Sequence, residues 1–142
     1  MTIRQLVYTS LMTIDDSKVA DEIKGIIDGC TQRNPALGIT GCLMFSGRRV
    51  VQFLEGPVDS VDPLYEKICR DQRHTQIACL YLGESETREI PDWAMALCDL
   101  GAVTEDDDSL KHVFAASQGA FKFHMNDFRA LIQTYLFEPN SL

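Results

Sequence analysis

The order in which extended and helical patterns alternate along the first part of the chain limits the fold to a few arrangements. Runs rich in β-branched and aromatic residues predict strands at residues 3–10, 38–45, 49–55 and 77–82. Apolar residues at helical spacing predict one helix between the first two strands and another between the last two. The order β-α-β-β-α-β is typical of a ferredoxin-like α+β sandwich. Right-handed crossovers then place the first and third strands side by side at the sheet centre, with both helices on one face.

The remainder of the chain predicts an extension of the same sandwich. Residues 93–100 are expected to form a fifth strand. Two further helices, at residues 109–118 and at about 121–137, are expected to cover the free face of the sheet. We therefore divide the chain into a domain at residues 1–100 and a C-terminal helical extension at residues 101–142 that packs on it.

Net charge and hydropathy argue against several classes of partner. The chain has 21 acidic and 13 basic residues, a net charge of −8. Such a surface repels phosphate backbones and anionic lipids, so neither nucleic acid nor a membrane is expected as a partner. No apolar run approaches the roughly 20 residues of a membrane span. The apolar stretch at the N-terminus is also too short for a signal peptide.

The cysteines indicate a reducing environment. Their number is odd and no two of them form a C-x-x-C pair, so neither a disulfide framework nor a zinc site is expected. Each lies in an apolar stretch, where a free thiol behaves as a small apolar group. The sequence therefore predicts a cytoplasmic protein without a metal site, in which five reduced cysteines belong to the core: Cys30, Cys42, Cys69, Cys79 and Cys98.

Gln52 is the polar residue within the apolar segment 50–54 of the third strand. A buried amide must find hydrogen-bond partners or cost a few kcal/mol. Tyr8 lies on the neighbouring first strand, and the two-residue period of strands allows both side chains to point to the helix side. The helices would present Ile26 and Ile68 toward the same space. Such a slot would fit a flat polar heterocycle, although each residue taken singly also has an ordinary structural explanation.

Asn34 lies beyond the first helix, near the mouth of this slot. Asn34-Pro35 predicts a loop over residues 31–37. From that loop the amide could reach a ligand, although an Asn before a Pro is more often part of a turn.

Five short segments occur in the order and at the spacing of one known family. They are Leu6-Val7-Tyr8-Thr9-Ser10, Asn34 followed by Gly38-Ile39-Thr40-Gly41-Cys42-Leu43, Val51-Gln52-Phe53-Leu54-Glu55-Gly56-Pro57, Asp71-Gln72-Arg73-His74 and Pro91-Asp92-Trp93-Ala94-Met95. Together they resemble the BLUF domains, sensors of blue light that use a flavin, and the trailing helices resemble those of short, stand-alone members. Two departures are Ile90, where an aromatic residue is common in the family, and Pro35 after the key Asn.

The resemblance implies a non-covalently bound FAD. Its ring would lie between Ile26 and Ile68, with Asn34 at the polar edge. Three further residues would lie near the ring or the flavin tail: Asp71, Arg73 and His74. The chain lacks a G-x-G-x-x-G motif for a pyrophosphate, so FMN or riboflavin remain alternatives to FAD.

The resemblance also implies a mechanism. Tyr8 would transfer an electron and a proton to the photoexcited flavin, and Gln52 would switch its hydrogen bonds by rotation or tautomerisation. The flavin absorption would then shift to the red and revert in the dark. Trp93 and Met95 on the fifth strand would relay the change to the C-terminal helices.

The function expected from this resemblance is that of a photoreceptor and not of an enzyme. Its signal would pass to a separate downstream protein, since no effector domain is recognised in the sequence, and a homo-oligomer is expected. Two alternatives stay open at this point. One is a regulatory module that binds a small molecule, and the other is a small flavin-dependent enzyme of ferredoxin-like fold.

Overall fold

Five strands form one sheet in the order β4-β1-β3-β2-β5. The computed structural model describes residues 2–91, 93–99 and 125–135. Its elements are β1 (Ile3–Met12), α1 (Asp16–Leu37), β2 (Thr40–Ser46), β3 (Arg49–Gly56), α2 (Val58–Cys69), β4 (His74–Ser85), β5 (Ala96–Asp99) and α3 (Met125–Tyr135). The predicted ferredoxin-like α+β arrangement is confirmed, with the fifth strand added at the edge beside β2.

The two central strands, β1 and β3, run antiparallel. Tyr8 lies directly opposite Gln52, and Leu6 lies opposite Leu54. Directly opposed residues of an antiparallel pair point to the same face of the sheet. The prediction that the phenol and the amide share a face is therefore confirmed.

The sheet separates two apolar clusters. The first cluster lies between the sheet and helices α1 and α2, and it includes Ile23 from α1 and Leu64 from α2. The second cluster lies on the opposite face, where Phe53 of β3 contacts Phe128 of α3 with ring centroids 5.6 Å apart. The last predicted helix thus covers the free face, as expected. The other predicted helix, at residues 109–118, lies outside the described residues.

Helix α1 is longer than the sequence predicts. The loop expected at residues 31–37 is wrong, because the helix continues to Leu37 with Pro35 inside it. Proline removes one helical hydrogen bond, but Asn34 is completely buried and Leu37 packs against the first cluster, so tertiary contacts hold the turn. The helix ends at Gly38, whose φ of +68° is the left-handed conformation that glycine adopts without strain.

Strand β4 is also longer than the predicted residues 77–82. It pairs with the whole of β1, from Ile3 opposite Ser85 to Met12 opposite His74. Because the partner strand determines its length, β4 includes polar residues that alone predict a loop. Two irregularities interrupt its register, and Gln76 nearby has a φ of +54°.

Strand β5 begins later than predicted. It covers only Ala96–Asp99 within the expected residues 93–100, and it pairs in parallel with β2. Trp93 and Met95 therefore lie in the irregular segment before the strand. The Trp93 carbonyl accepts a hydrogen bond from the Gly41 amide at 3.2 Å, which fixes this segment beside β2.

The cysteines are not all in the core. Cys30 and Cys42 are buried and Cys98 is partly buried, but Cys69 and Cys79 are exposed. The prediction is wrong for the last two because Cys69 is the final residue of α2 and Cys79 lies on the edge strand β4. Within residues 2–91, 93–99 and 125–135, no helix is both long enough and apolar enough to cross a membrane.

Candidate functional site

A cavity of about 470 Å³ opens between helices α1 and α2 above the helix-facing side of the sheet. Ile26 of α1 and Ile68 of α2 both line it. The predicted site residues that also line the cavity are Tyr8, Gln52, Asp71, Arg73 and His74. The structure thus brings together seven of the eight residues predicted to bind a cofactor. The volume of the cavity lies within the usual range of ligand pockets.

Tyr8, Gln52 and Met95 form a hydrogen-bonded row between the cavity and strand β5. The Tyr8 hydroxyl donates to Oε1 of Gln52, and both side chains are buried. Nε2 of Gln52 donates to Sδ of Met95 at 3.4 Å. A thioether is a weak acceptor, so the amide group is held firmly at its oxygen and loosely at its nitrogen.

The Tyr8 phenol lies in an apolar, aromatic environment. Its ring lies 5.6 Å from that of Tyr65 and 6.2 Å from that of His74, measured between centroids. Burial raises the pKa of Tyr8 far above its usual value, because the phenolate would lose its hydration. Tyr8 is therefore held as the neutral phenol, which donates its hydroxyl proton to a hydrogen bond with Gln52.

Both ring nitrogens of His74 are occupied by protein partners. Nε2 lies 2.7 Å from the carbonyl oxygen of Ile68, and Nδ1 lies 2.9 Å from Oγ of Ser10. A carbonyl can only accept, so Nε2 must carry a proton, and in the neutral ring Nδ1 then accepts from the Ser10 hydroxyl. His74 therefore shapes the cavity wall beside Tyr8 with its nitrogens already engaged.

Asp71 and Arg73 form a bidentate ion pair at the end of α2. Nε of Arg73 lies within 3.0 Å of both Asp71 carboxylate oxygens, and its Nη1 lies 3.6 Å from Glu22 of helix α1. Hydrogen bonds from Arg73 lower the pKa of Asp71 below its usual value. Both residues lie in the turn between α2 and β4, so Arg73 connects this turn to α1 beside the cavity.

The charge around the cavity differs in sign from that of the whole chain. Its lining includes four cationic side chains, Arg33, Lys67, Arg70 and Arg73, and one carboxylate, Asp71. Among the described residues the lining therefore has a formal charge of +3, within a chain of net charge −8. Such a concentration of cations favours a ligand that bears negative charge.

Asn34 is not among the residues that line the cavity. Its side chain is completely buried in the last turns of α1, and Nδ2 donates to the carbonyl oxygen of Ala94 at 2.9 Å. Its Oδ1 has no hydrogen-bond partner among the described residues. A buried amide oxygen without a partner is costly, which makes this atom a candidate acceptor for a bound group.

Trp93 and Met95 belong to opposite faces of the sheet. Met95 is buried in the first cluster, beneath the helices, where it contacts Gln52. Trp93 packs against the second cluster on the face that α3 covers. Of the two predicted relay residues, Met95 is therefore the one that reaches the Tyr8–Gln52 pair.

Comparison with known proteins places this architecture in a family. A sequence model described as "Sensors of blue-light using FAD", the BLUF domain, matches residues 3–96. The chain belongs to the BLUF family. The matched BLUF region runs from β1 to the first residue of β5, and so includes every residue of the hydrogen-bonded row.

Two curated BLUF relatives are much longer than this chain. The blue light- and temperature-regulated antirepressor BluF of Escherichia coli (strain K12) is 35% identical over 127 residues, 89% of this chain and 30% of that protein. The photoactivated adenylate cyclase subunit beta of Euglena longa is 35% identical over 95 residues, 66% of this chain and 11% of that protein. This chain thus spans less than a third of the length of either relative.

Solved BLUF structures have the same fold. The dark-state structure of the BLUF protein BlrB has a TM-score of 0.73 and 30% identity, covering 92% of this chain and 94% of that one. A bacterial light-regulated adenylyl cyclase has a TM-score of 0.64 and 29% identity, covering 92% of this chain and 36% of that one.

The cavity residues fit the flavin that the BLUF family uses. Ile26 and Ile68 offer aliphatic surface to a planar ring, and Gln52 offers both a donor and an acceptor to its polar edge. Asn34 lies outside this lining, and its buried Oδ1 has no hydrogen-bond partner among the described residues. The cationic mouth is compatible with a phosphorylated tail.

Sequence reasoning missed the helix face that makes room for the cavity. Gly25, Gly29 and Cys30 of α1 line it together with Ile26. A Cβ added at either glycine would meet nothing within 4 Å, although glycine inside a helix costs about 1 kcal/mol relative to alanine. Two glycines four residues apart in a helical pattern were the available signal for this open face.

Proposed function

We propose that this protein is a blue-light photoreceptor that binds a flavin non-covalently and signals through protein contacts. The single observation that carries the proposal is the row of Tyr8, Gln52 and Met95 beside the cavity. It combines a donor of protons and electrons with an amide that can exchange its hydrogen bonds.

The chemistry begins at the Tyr8 hydroxyl. A bound flavin supplies a strong one-electron oxidant when it absorbs blue light. Tyr8 would lose an electron to this oxidant and pass its phenolic proton along the hydrogen bond toward Oε1 of Gln52, and it would later recover both. The buried environment favours this coupled transfer, because a charged phenolate there is strongly disfavoured.

Gln52 keeps its changed hydrogen bonds after Tyr8 has recovered its electron and proton. In the structure its oxygen accepts from Tyr8 and its nitrogen donates to Met95. Rotation or tautomerisation exchanges the donor and acceptor ends of the amide. The loose contact to Met95 makes the nitrogen end the easier one to release.

Other residues hold the ring in place. We assign the two faces of the ring to Ile26 and Ile68, which line the cavity from different helices. Asn34 is assigned to the polar edge through its unpartnered Oδ1. Asp71 and Arg73 brace the helices at the cavity mouth.

The output leaves the domain along the segment that contains Met95. A changed Gln52 amide alters the packing of Met95, and this segment leads through Trp93 to the face covered by α3. We propose that a separate protein or a second copy of the chain reads this change, without enzymatic activity in the domain itself. The antirepressor and cyclase functions named for its relatives belong to longer proteins.

Visible spectroscopy tests the proposed function. Protein purified with flavin is expected to be yellow, and its absorption is expected to shift slightly to the red under blue light and to return in the dark. Bound flavin without any light-induced shift would contradict the photoreceptor and favour a flavin-dependent enzyme. Protein that takes up no flavin would favour a module that binds another small molecule.

The cationic mouth predicts a preference among flavins. We expect FAD and FMN to bind more tightly than riboflavin, because only the first two carry phosphate, which the lining cations Lys67 and Arg70 would attract. We expect a salt-sensitive advantage of roughly tenfold, or about 1.4 kcal/mol, because each of two exposed ionic contacts contributes up to about 1 kcal/mol.

Isothermal titration of the three flavins at low and high salt measures this preference. In a Lys67→Met, Arg70→Met protein the advantage of FMN over riboflavin is expected to disappear. A control Lys24→Met protein, which changes a cation outside the cavity lining, is expected to keep it. Equal, salt-independent affinities in the unaltered protein would refute the role of the rim.

A further inference from the structure

A second polar side chain is buried in β3, three residues after Gln52. Glu55 is completely buried, and its two carboxylate oxygens accept hydrogen bonds from two consecutive backbone amides. Oε1 accepts from the Glu89 amide at 2.9 Å, and Oε2 accepts from the Ile90 amide at 2.7 Å. The carboxylate thus holds a segment that has no regular secondary structure.

The remaining contacts of Glu55 complete this arrangement. Gln5 donates to Oε1 and Thr40 donates to Oε2, each at 3.3 Å. Arg88 donates to the Glu55 backbone oxygen at 3.2 Å and to the Gly38 oxygen at 2.7 Å. Residues 88–90 are therefore fixed to the sheet at three consecutive positions.

The segment held by Glu55 is connected both to Trp93 and Met95 along the chain and to helix α3 by an ion pair. Along the chain, Ile90 is buried in the second cluster, and Trp93 and Met95 follow within five residues. Across space, the Glu89 carboxylate pairs with Nε of Arg129 on α3 at 2.7 Å. One backbone segment therefore connects Met95, which contacts Gln52, to helix α3.

We propose that Glu55 is a positioning residue that holds residues 88–90 so that Met95, five residues after Ile90, meets Gln52. We also propose that the Glu89–Arg129 pair carries displacements of this segment to α3. The proposal rests on the proposed photoreceptor function for its light-dependent part. Its structural part concerns only the chain itself and can be tested without flavin.

A Glu55→Gln protein tests the positioning role. An amide has only one acceptor oxygen, so its NH₂ group would face one of the two backbone amides. In flavin-free protein we expect hydrogen exchange at residues 89 and 90 to accelerate roughly tenfold or more. The emission of Trp93, the only tryptophan of the chain, is expected to shift. With flavin bound, the dark recovery rate is expected to change.

Glu66→Gln serves as the matched control, since it makes the same chemical change on an exposed face of α2. If Glu55→Gln is indistinguishable from this control in exchange, emission and recovery, the positioning role is overturned. Loss of the light response in the unaltered protein would instead refute the proposed function, while the flavin-free measurements would still decide the role of Glu55.

The ion pair provides a second test that does not depend on a buried substitution. Both partners are partly exposed, so substitutions at either position should leave the fold intact. We expect light to change hydrogen exchange in α3 of the unaltered protein, and Arg129→Glu to reduce that change several-fold. The double variant Glu89→Arg, Arg129→Glu is expected to restore it. An unchanged light response in Arg129→Glu would overturn the proposed route to α3.

Discussion

A Tyr8→Phe protein is expected to bind flavin and to lose the light-induced red shift completely. Phenylalanine keeps the ring that packs against Tyr65, so the cavity wall survives. It removes the hydroxyl that donates to Gln52, and with it the source of both the electron and the proton. Absorption spectra before and after blue illumination measure the effect.

Tyr65→Phe is the control for this experiment. Its ring lies 5.6 Å from that of Tyr8, yet its hydroxyl donates nothing to Gln52 in the structure. We expect the Tyr65→Phe protein to keep the red shift. A full photocycle in Tyr8→Phe would remove Tyr8 from the mechanism, and loss of the shift in both variants would indicate damage to the cavity instead.

The pairing of Tyr8 and Gln52 was predictable because strands have a rigid period. Once the β-α-β-β-α-β order places β1 beside β3, the face of each residue follows from its position in the strand. The helix faces that present Ile26 and Ile68 follow from helical spacing in the same way. The strand base of the site and the positions of Ile26 and Ile68 therefore followed from periodicity, whereas the open face of α1 at Gly25 and Gly29 was missed.

Other features depend on contacts that no local pattern contains. Burial of Asn34 and packing of Leu37 extend α1 through Pro35, which by itself predicts a loop. Trp93 and Met95 lie outside regular structure, so strand alternation could not assign their faces. Their opposite orientations follow from how the segment docks on β2 and α3.

Glu55 illustrates a signal that was present but could not be interpreted. A carboxylate within an apolar strand is as unusual as Gln52, and it predicts buried partners. Those partners are backbone amides of residues 89 and 90, which any sequence would provide. Only the position of that segment in the fold identifies what the carboxylate holds.

A Gln52→Leu protein is expected to retain flavin, to show no red shift and to be less stable than the unaltered protein. Leucine cannot exchange hydrogen bonds, so the switch is absent even though Tyr8 remains. The Tyr8 hydroxyl also loses its acceptor while staying buried, which costs about 1–3 kcal/mol. Absorption difference spectra and urea unfolding of the flavin-free protein measure the two effects.

The double variant separates the hydrogen bond from the packing of the two side chains. Replacing both partners by apolar groups leaves no buried hydroxyl without an acceptor, so Tyr8→Phe, Gln52→Leu should cost less than the sum of the single changes. We expect a coupling of about 1–2 kcal/mol in the free energy of unfolding. Met95 adds little to this coupling, because the thioether that contacts Gln52 is a weak acceptor. Additive single effects would mean that the phenol and the amide are not coupled in the flavin-free protein, and the Tyr8–Gln52 pair could not then be preformed for the switch.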